Sequence, residues 1–191
     1  ISPAGIEIRD DGIDQDCSGH DLQSYQETVS AGGYHSCAID LNGSARCWGD
    51  HTHNQSVISV DNANQIGSGS IHSCLLDDQG SIQCWGDDTH GQSTPPEGSF
   101  VQLTSGLHHN CAIDDTDAVV CWGDDTHGQS TPPSGSFLQV SAGYNHSCAL
   151  DLNNQIQCWG DDSDGQVSAP SGSFIQVSAG GSHSCAVTNT E

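Results

Sequence analysis

A pattern of 37 residues recurs along this chain, and the recurrence limits its folds more than any other feature. Five cysteines mark the repeat, and ten residues after each of the first four comes a Cys-Trp-Gly-Asp sequence. A fixed period of this length is typical of an array in which one supersecondary unit packs on the next. The first cysteines are Cys37, Cys74, Cys111, Cys148 and Cys185, and the second cysteines are Cys47, Cys84, Cys121 and Cys158.

The residues between the two cysteines of a unit predict a β-hairpin. The fold-back residues, all of types that tolerate a left-handed backbone, are Gly43, Gly80, Asp117 and Asn154. With residues 41–43 as the loop, Ile39 lies opposite Ala45. Cys37 then faces Cys47 in a non-hydrogen-bonded pair with Cα atoms ~4.5 Å apart, which suits a disulfide. The predicted disulfides are Cys37–Cys47, Cys74–Cys84, Cys111–Cys121 and Cys148–Cys158. The alternative for these cysteines is a zinc site, although the spacing lacks a CxxC pair.

The hairpin register also predicts that both faces of each unit are buried. One face carries the disulfide with aliphatic residues, and the other carries a tryptophan beside a small residue such as Ala112. A further strand precedes each hairpin, as in "FVQLTSG" and "FLQVSAG". The chain is therefore predicted to be all-β, a propeller-type array of three-stranded blades. An acidic N-terminal segment, residues 1–24, precedes the repeat array, residues 25–191.

Composition indicates where such a protein works. Ten cysteines and only 33% hydrophobic residues favour disulfide staples and an oxidising compartment, so an extracellular or cell-surface location is expected. The formal charge is −23, with Arg9 and Arg46 as the only Lys or Arg residues, which disfavours nucleic acid as a partner. No apolar run is long enough for membrane insertion. The chain is expected to be the mature form of a secreted protein.

The stretches "VSAGGYHSCAIDLNGSARCWGD" and "VSAGYNHSCALDLNNQIQCWGDD" resemble bacterial secreted repeats of the regulator of chromosome condensation type. The resemblance covers about residues 29–187 and implies a β-propeller, usually with seven blades. Repeats of this length also resemble a secreted bacterial inhibitor of β-lactamase. Members of the family are binding platforms, including a nucleotide-exchange factor on chromatin. The acidity of this chain departs from that nuclear role, so the resemblance implies the fold more than the partner.

The repeat count predicts four complete blades and a fifth that lacks its third strand. Cys185 has no hairpin partner, and Cys17 in "IDQDCSGHD" is the other unassigned cysteine. We expect residues 13–19 to supply the missing strand and Cys17 to bond Cys185. The strand could close its own five-bladed ring, or complete the last blade of a neighbouring molecule and build a homo-oligomer or fibre through the N- and C-terminal strands. A third alternative is that Cys17 is a stray thiol and the chain a fragment.

The same N-terminal segment resembles a metal-binding motif of secreted bacterial proteins, with Arg9 where that motif has its first cysteine. Asp14, Asp16 and Ser18 follow the first half of a calcium loop, in which oxygen ligands alternate along the chain. Tyr25 stands at the twelfth position, which excludes a complete EF-hand. Ca²⁺ is the candidate ion, and a solvated acidic turn is the alternative.

The acidic loops after each tryptophan are a second candidate metal site. Carboxylates and imidazoles there could hold a divalent ion between blades. The alternative is a set of polar turns with glycine at the left-handed position. The candidate ligands are Asp87, Asp88 and His90 with Asp124, Asp125 and His127, and, in the first loop, Asp50 with His53.

Each unit also contains a His-Ser-Cys-type sequence, which invites an enzymatic interpretation. Neighbours on a strand point to opposite faces, and a catalytic site is asymmetric whereas this sequence recurs. Hydrogen bonding of each histidine to the adjoining blade is therefore the expectation, and no enzyme site is predicted. The leading hypothesis is an extracellular structural protein that assembles head-to-tail by strand donation. The alternative is a secreted monomeric five-bladed propeller that binds a protein or glycan through its loops.

Overall fold

The computed structural model describes residues 29–56 and 59–188, and in these ranges every regular element is a β-strand. The strands form five antiparallel sheets, each of which is one blade. Blade 1 contains β1 Val29–Ala31, β2 His35–Ile39, β3 Ala45–Gly49 and β4 Ser59–Val60; blade 2 contains β5 Ala63–Ser68, β6 His72–Asp77 and β7 Ile82–Gly86; blade 3 contains β8 Phe100–Ser105, β9 His109–Asp114 and β10 Val119–Gly123; blade 4 contains β11 Phe137–Ala142, β12 His146–Asp151 and β13 Ile156–Gly160; and blade 5 contains β14 Phe174–Ala179 and β15 Ser184–Thr188.

The all-β array of three-stranded blades is confirmed, and the last blade has two described strands. Blade 1 differs from the prediction because the short strand β4 adds a fourth, outer strand to it. The segment expected to complete blade 5, together with Cys17, lies outside the described residues. The described residues contain no helix long and apolar enough to cross a bilayer.

Turn chemistry sets the hairpin register in blade 1 as predicted. Ile39 pairs with Ala45 and Cys37 with Cys47, and Gly43 has φ +76°. The Gly43 amide donates to the Asp40 carbonyl at 2.9 Å, and the Asp40 carboxylate caps the loop. The disulfides of the described blades are Cys37–Cys47, Cys74–Cys84, Cys111–Cys121 and Cys148–Cys158, with Cα–Cα distances of 4.0–4.1 Å.

The hydrophobic core lies between blades rather than inside them. The disulfide face of blade 2, with Cys74 and Leu76, packs on the tryptophan face of blade 3, with Ala112 and Trp122. The same two faces meet between blades 1 and 2 and between blades 3 and 4. Because blades 2–4 bury both faces against their neighbours, the array hides apolar surface without a single central core.

Tryptophan also joins the blades by a hydrogen bond. The indole N–H of Trp85, Trp122 and Trp159 donates to the backbone carbonyl of Gln55, Gln92 and Gln129 at 2.8, 3.1 and 2.9 Å respectively. Trp48 in blade 1 is different, because its side chain is 54% exposed and no described carbonyl accepts its N–H.

This difference gives a testable pair of variants. We expect Trp122→Phe to lower the free energy of unfolding by about 1–2 kcal/mol, because the Gln92 carbonyl loses a buried donor and ring atoms are removed. The matched change Trp48→Phe should cost no more than about 0.5 kcal/mol, since that ring is half exposed. Urea unfolding followed by circular dichroism measures both, and equal losses would contradict the interblade role.

Glutamine side chains add a further link between the first strands of blades 2–5, which are β5, β8, β11 and β14 and which we call the inner strands. The amide oxygens of Gln65, Gln102 and Gln139 accept the backbone N–H of the next blade's inner strand. The O···N distances are 2.6, 2.9 and 2.8 Å. Side-chain and backbone bonds therefore fix the spacing of successive blades, which positions the last blade relative to blade 4.

Candidate binding site at the last blade

The last blade presents a strand edge that the other blades keep covered. In blade 4, Cys148 on the middle strand is fully buried and bonded to Cys158. Cys185 occupies the same place in blade 5, pairing with Ser178 as Cys148 pairs with Ser141, yet it is exposed and has no described disulfide partner. Over residues 184–187, no described strand pairs with the outer edge of β15. This edge can therefore accept an added strand.

An apolar groove runs beside that edge, between blade 4 and blade 5, and we call it the last-blade groove. Its volume is about 300 Å³. Blade 4 contributes Ile156 and Cys158, blade 5 contributes Phe174, Val177 and Ala186, and the intervening segment contributes Ala169 and Pro170. The sequence predicted that this blade lacks a third strand but did not indicate the apolar groove beside the open edge.

The concave inner surface forms a second candidate site that the sequence did not reveal. Val101, Leu138 and Ile175 take equivalent places in successive blades, and 55–60% of each side chain is exposed. They line a cavity of about 650 Å³ together with glutamines of the inner strands. Each follows the phenylalanine that opens an inner strand, where the register shifts by one residue, so the bulge directs an apolar side chain away from the core.

Four of the five repeated histidines join blades, as the sequence predicted, whereas His183 in blade 5 has no interblade hydrogen-bond partner among the described residues. Nε2 of each of the four lies 2.6–2.9 Å from a side-chain oxygen in the next blade, with the pairs His35–Ser73, His72–Asn110, His109–Ser147 and His146–Ser184. Nδ1 of these four histidines is buried and has no hydrogen-bond partner. Burial lowers the pKa of His72 to about 4 and that of His109 to about 3. These side chains are therefore neutral structural links between blades.

The carboxylates of the acidic loops mainly close their own turns. Asp87 accepts hydrogen bonds from Thr89 and Gln92 at 2.7 and 2.6 Å, while Asp88 accepts from Thr94 at 2.8 Å. Desolvation of the Asp87 carboxylate raises its pKa, but the hydrogen bonds from Thr89 and Gln92 together outweigh this and keep the pKa below its usual value. Asp124 and Asp125 repeat this pattern in blade 3.

Of the predicted metal ligands, one pair comes together across blades. His90 Nδ1, in the loop of blade 2, lies 3.8 Å from the Asp124 carboxylate in the loop of blade 3. His127 lies in the same loop as Asp124. In the described ranges no cluster of three or more His, Cys, Asp or Glu side chains has the arrangement of a metal site. Asp14, Asp16 and Ser18 lie outside those ranges, so calcium binding by that segment stays a prediction.

Comparison with known proteins identifies the repeat. The family model described as "Regulator of chromosome condensation (RCC1) repeat" matches residues 27–55, 64–92, 100–129 and 137–166, together more than half of the chain. Among curated protein sequences none matches.

Several solved structures are similar to the described array. The CRINKLY WD40 ectodomain of the Arabidopsis thaliana receptor kinase ACR4 is 29% identical, with a TM-score of 0.69, over 85% of this chain and 59% of that one. The ectodomain of the Physcomitrella patens receptor kinase CR4 is 30% identical, with a TM-score of 0.69, over 85% and 47%. Yeast RCC1 (Prp20) bound to Kap60 is 20% identical, with a TM-score of 0.68, over 82% and 52%, and supports the fold alone. The chain thus spans about half the length of these structures.

Proposed function

This chain belongs to the regulator of chromosome condensation (RCC1) repeat family, and from that premise we propose that it is an extracellular, non-enzymatic propeller protein that assembles head-to-tail. In this assembly the N-terminal segment of one molecule adds a third strand to blade 5 of the next, and Cys17 bonds Cys185. Such a heterologous contact repeats from copy to copy and produces a chain of molecules unless it closes into a ring.

The exposed Cys185 is the observation that carries this proposal. In blades 1–4 the equivalent cysteine is fully buried and bonded to a third strand, whereas Cys185 sits in the same register on an open strand edge. A cysteine placed opposite Cys185 on an added strand would meet the pairing geometry seen in the four complete hairpins. Cys17 is the remaining cysteine of the sequence.

Two further features support an extracellular setting. Four disulfides in the described blades suit an oxidising compartment, and two similar structures are receptor-kinase ectodomains. The described residues include one arginine, Arg46, and many carboxylates, so this surface lacks the positive charge that binding to a nucleic acid requires.

The proposal predicts a disulfide-linked ladder. We expect the purified full chain to run as multimers on a non-reducing gel and to collapse to one band on reduction. Cys17→Ser and Cys185→Ser should each abolish the ladder, because each removes one sulfur of the same bond. A matched double change, Cys111→Ser with Cys121→Ser, should leave the ladder in place. Multimers that persist in Cys185→Ser would contradict the proposal, as would a reduced Cys17 in the peptide map.

A second candidate function is partner binding by a monomer, and the concave surface favours it. Val101, Leu138 and Ile175 expose an apolar row on that surface, which suits a protein or glycan ligand better than the polar loops do. Yeast RCC1, which has a similar fold, has been solved bound to Kap60. A compact monomer under both reducing and non-reducing conditions would favour this candidate over assembly.

A further inference from the structure

Two histidines from successive blades come together at a place where the repeat does not require them. His90 lies in the acidic loop of blade 2 and His108 in the turn between β8 and β9, and their ring centroids are 5.5 Å apart with the ring planes inclined at 34°. We propose that His90 and His108 together bind one divalent transition-metal ion of the Zn²⁺, Ni²⁺ and Cu²⁺ class between blades 2 and 3. This site is independent of strand addition at blade 5.

Comparison of the repeats shows that the histidine pair is not part of the framework. In the other four units the place of His108 is taken by side chains of unrelated chemistry, which are Tyr34, Ile71, Asn145 and Ser182. Because a blade forms around each of these residues, the fold does not need an imidazole at this place. His90 recurs as His53 and His127, so it is the turn of blade 3 that adds a second histidine to a recurring one.

Backbone hydrogen bonds hold both histidines in position. The Asp124 N–H donates to the His108 carbonyl at 2.9 Å, which joins the turn of blade 3 to the acidic loop of the same blade. The backbone N–H of His90 donates to the Gln92 side-chain oxygen at 2.8 Å, and Gln92 is fully buried. The His90 side chain is 44% exposed, so binding an ion has to order this ring and little else.

The separation of the rings fits a shared ion. An imidazole nitrogen binds Zn²⁺ at about 2.0–2.1 Å, so two rings on one tetrahedral or trigonal ion have centroids roughly 5–5.5 Å apart. Nδ1 of His108 is buried and has no hydrogen-bond partner, and an ion bound at this nitrogen would supply the missing partner. Two side chains make an open site completed by water, which differs from the closed clusters of three or more ligands that the described residues lack.

Carboxylates flank the pair and favour a cation. The Asp124 carboxylate lies 3.8 Å from His90 Nδ1, and both Asp87 and Asp124 act electrostatically on His108. A carboxylate beside a metal-binding histidine orients the ring and raises its basicity as a ligand. The imidazole nitrogens select the class of ion, because they suit Zn²⁺, Ni²⁺ and Cu²⁺, whereas Ca²⁺ binds oxygen ligands.

Zinc titration of the full chain tests the inference. The parent protein carries Cys17→Ser and Cys185→Ser, so that neither thiol binds the ion, and a chelator first removes bound metal. We expect one Zn²⁺ per molecule in isothermal titration calorimetry, with shifted His90 and His108 ring nitrogens in long-range ¹H–¹⁵N spectra. His108→Asn copies the residue of blade 4 and should weaken binding by about a hundredfold, since one of two protein ligands is lost. An excess of Ca²⁺ should not displace the zinc.

Two matched changes in the next interblade contact locate the ion. His127→Gln should leave the titration unchanged, because His127 is the counterpart of His90 at a contact where Asn145 replaces the second histidine. Asn145→His should raise the stoichiometry to two. The Asn145 carbonyl accepts the Asp161 N–H at 2.8 Å, as the carbonyl at position 108 accepts its aspartate, and His127 acts electrostatically on Asp161.

Several results would overturn the histidine site. They are a lack of zinc binding, full affinity in His108→Asn, equal weakening by His127→Gln, and a stoichiometry that stays at one in Asn145→His. Because the parent protein lacks Cys17 and Cys185, failure of this titration is separate from failure of the disulfide ladder.

Discussion

Between pH 7 and pH 5 the protein should lose about 2 kcal/mol of unfolding free energy for each of His72 and His109. Both side chains are fully buried, and their pKa values are lowered by burial to about 4 and about 3. The His72 Nε2–H donates to the Asn110 side-chain oxygen, so Nδ1 carries the lone pair, and that atom is buried without a partner. Protonation there would place an uncompensated charge between blades.

The direction of the effect follows from the pH at which the folded and the unfolded chain bind protons. The unfolded chain has ordinary histidines with a pKa near 6.5, so it binds protons first as the pH falls. The stabilising contribution of the neutral histidines is therefore complete above about pH 6.5. It is lost progressively as the pH falls towards the folded-state pKa values, about 4 for His72 and about 3 for His109. His35 and His146, whose pKa values burial also lowers, act in the same direction.

Urea unfolding at pH 7, 6 and 5 measures this loss. The ordinary pKa of an aspartate is near 4, so the window from pH 7 to pH 5 lies above the range in which this residue type usually titrates. His109→Gln should weaken the pH dependence by about half of the effect expected for the two residues, because glutamine does not titrate and the His72 contribution remains. A free energy of unfolding that is constant from pH 7 to pH 5 would show that the interblade histidines do not remain neutral.

The hairpins were predictable from sequence because their determinants are local. A residue that tolerates positive φ at position 43, 80, 117 or 154 fixes the loop, and the loop then fixes which cysteines face each other. The alternation of the two faces follows from the same register. That the histidines of blades 1–4 bond the next blade was also predictable, since a recurring polar residue in a stacked array needs a recurring partner.

The candidate sites were less predictable because they depend on what surrounds a residue. Val101 would point into the core in a regular strand, and only the bulge after Phe100 turns it outward. Ala186 has the sequence context of the buried Ala112, yet it borders a groove because no described indole covers it. The Asp87 carboxylate is typical of a metal ligand in sequence, but its hydrogen bonds to Thr89 and Gln92 depend on the folded loop.

The other large effect is expected from adding one methyl group at Gly106. We expect Gly106→Ala to destabilise the protein by about 3 kcal/mol or more, because the interblade contact cannot accommodate it. A Cβ at this position would lie closer than 3.0 Å to the Gly143 carbonyl oxygen and to the His109 ring. The first is backbone of the next blade and the second is fully buried, so neither can move aside without separating blades 3 and 4.

Gly181→Ala is the matched control, because it changes the equivalent loop of blade 5 by the same methyl group. The atoms nearest to its Cβ would be those of the Tyr144 ring, at 3.2–3.5 Å, and that residue is more than half exposed and free to shift. We expect this variant to unfold within about 0.5 kcal/mol of the natural protein. Thermal and urea unfolding of both variants give the comparison. Since the clash at Gly106 lies between blades, Gly106→Ala should also reduce the protection of the β9 and β12 amides in hydrogen exchange. A Gly106→Ala variant as stable as the control would mean that the blades are not held at the spacing described.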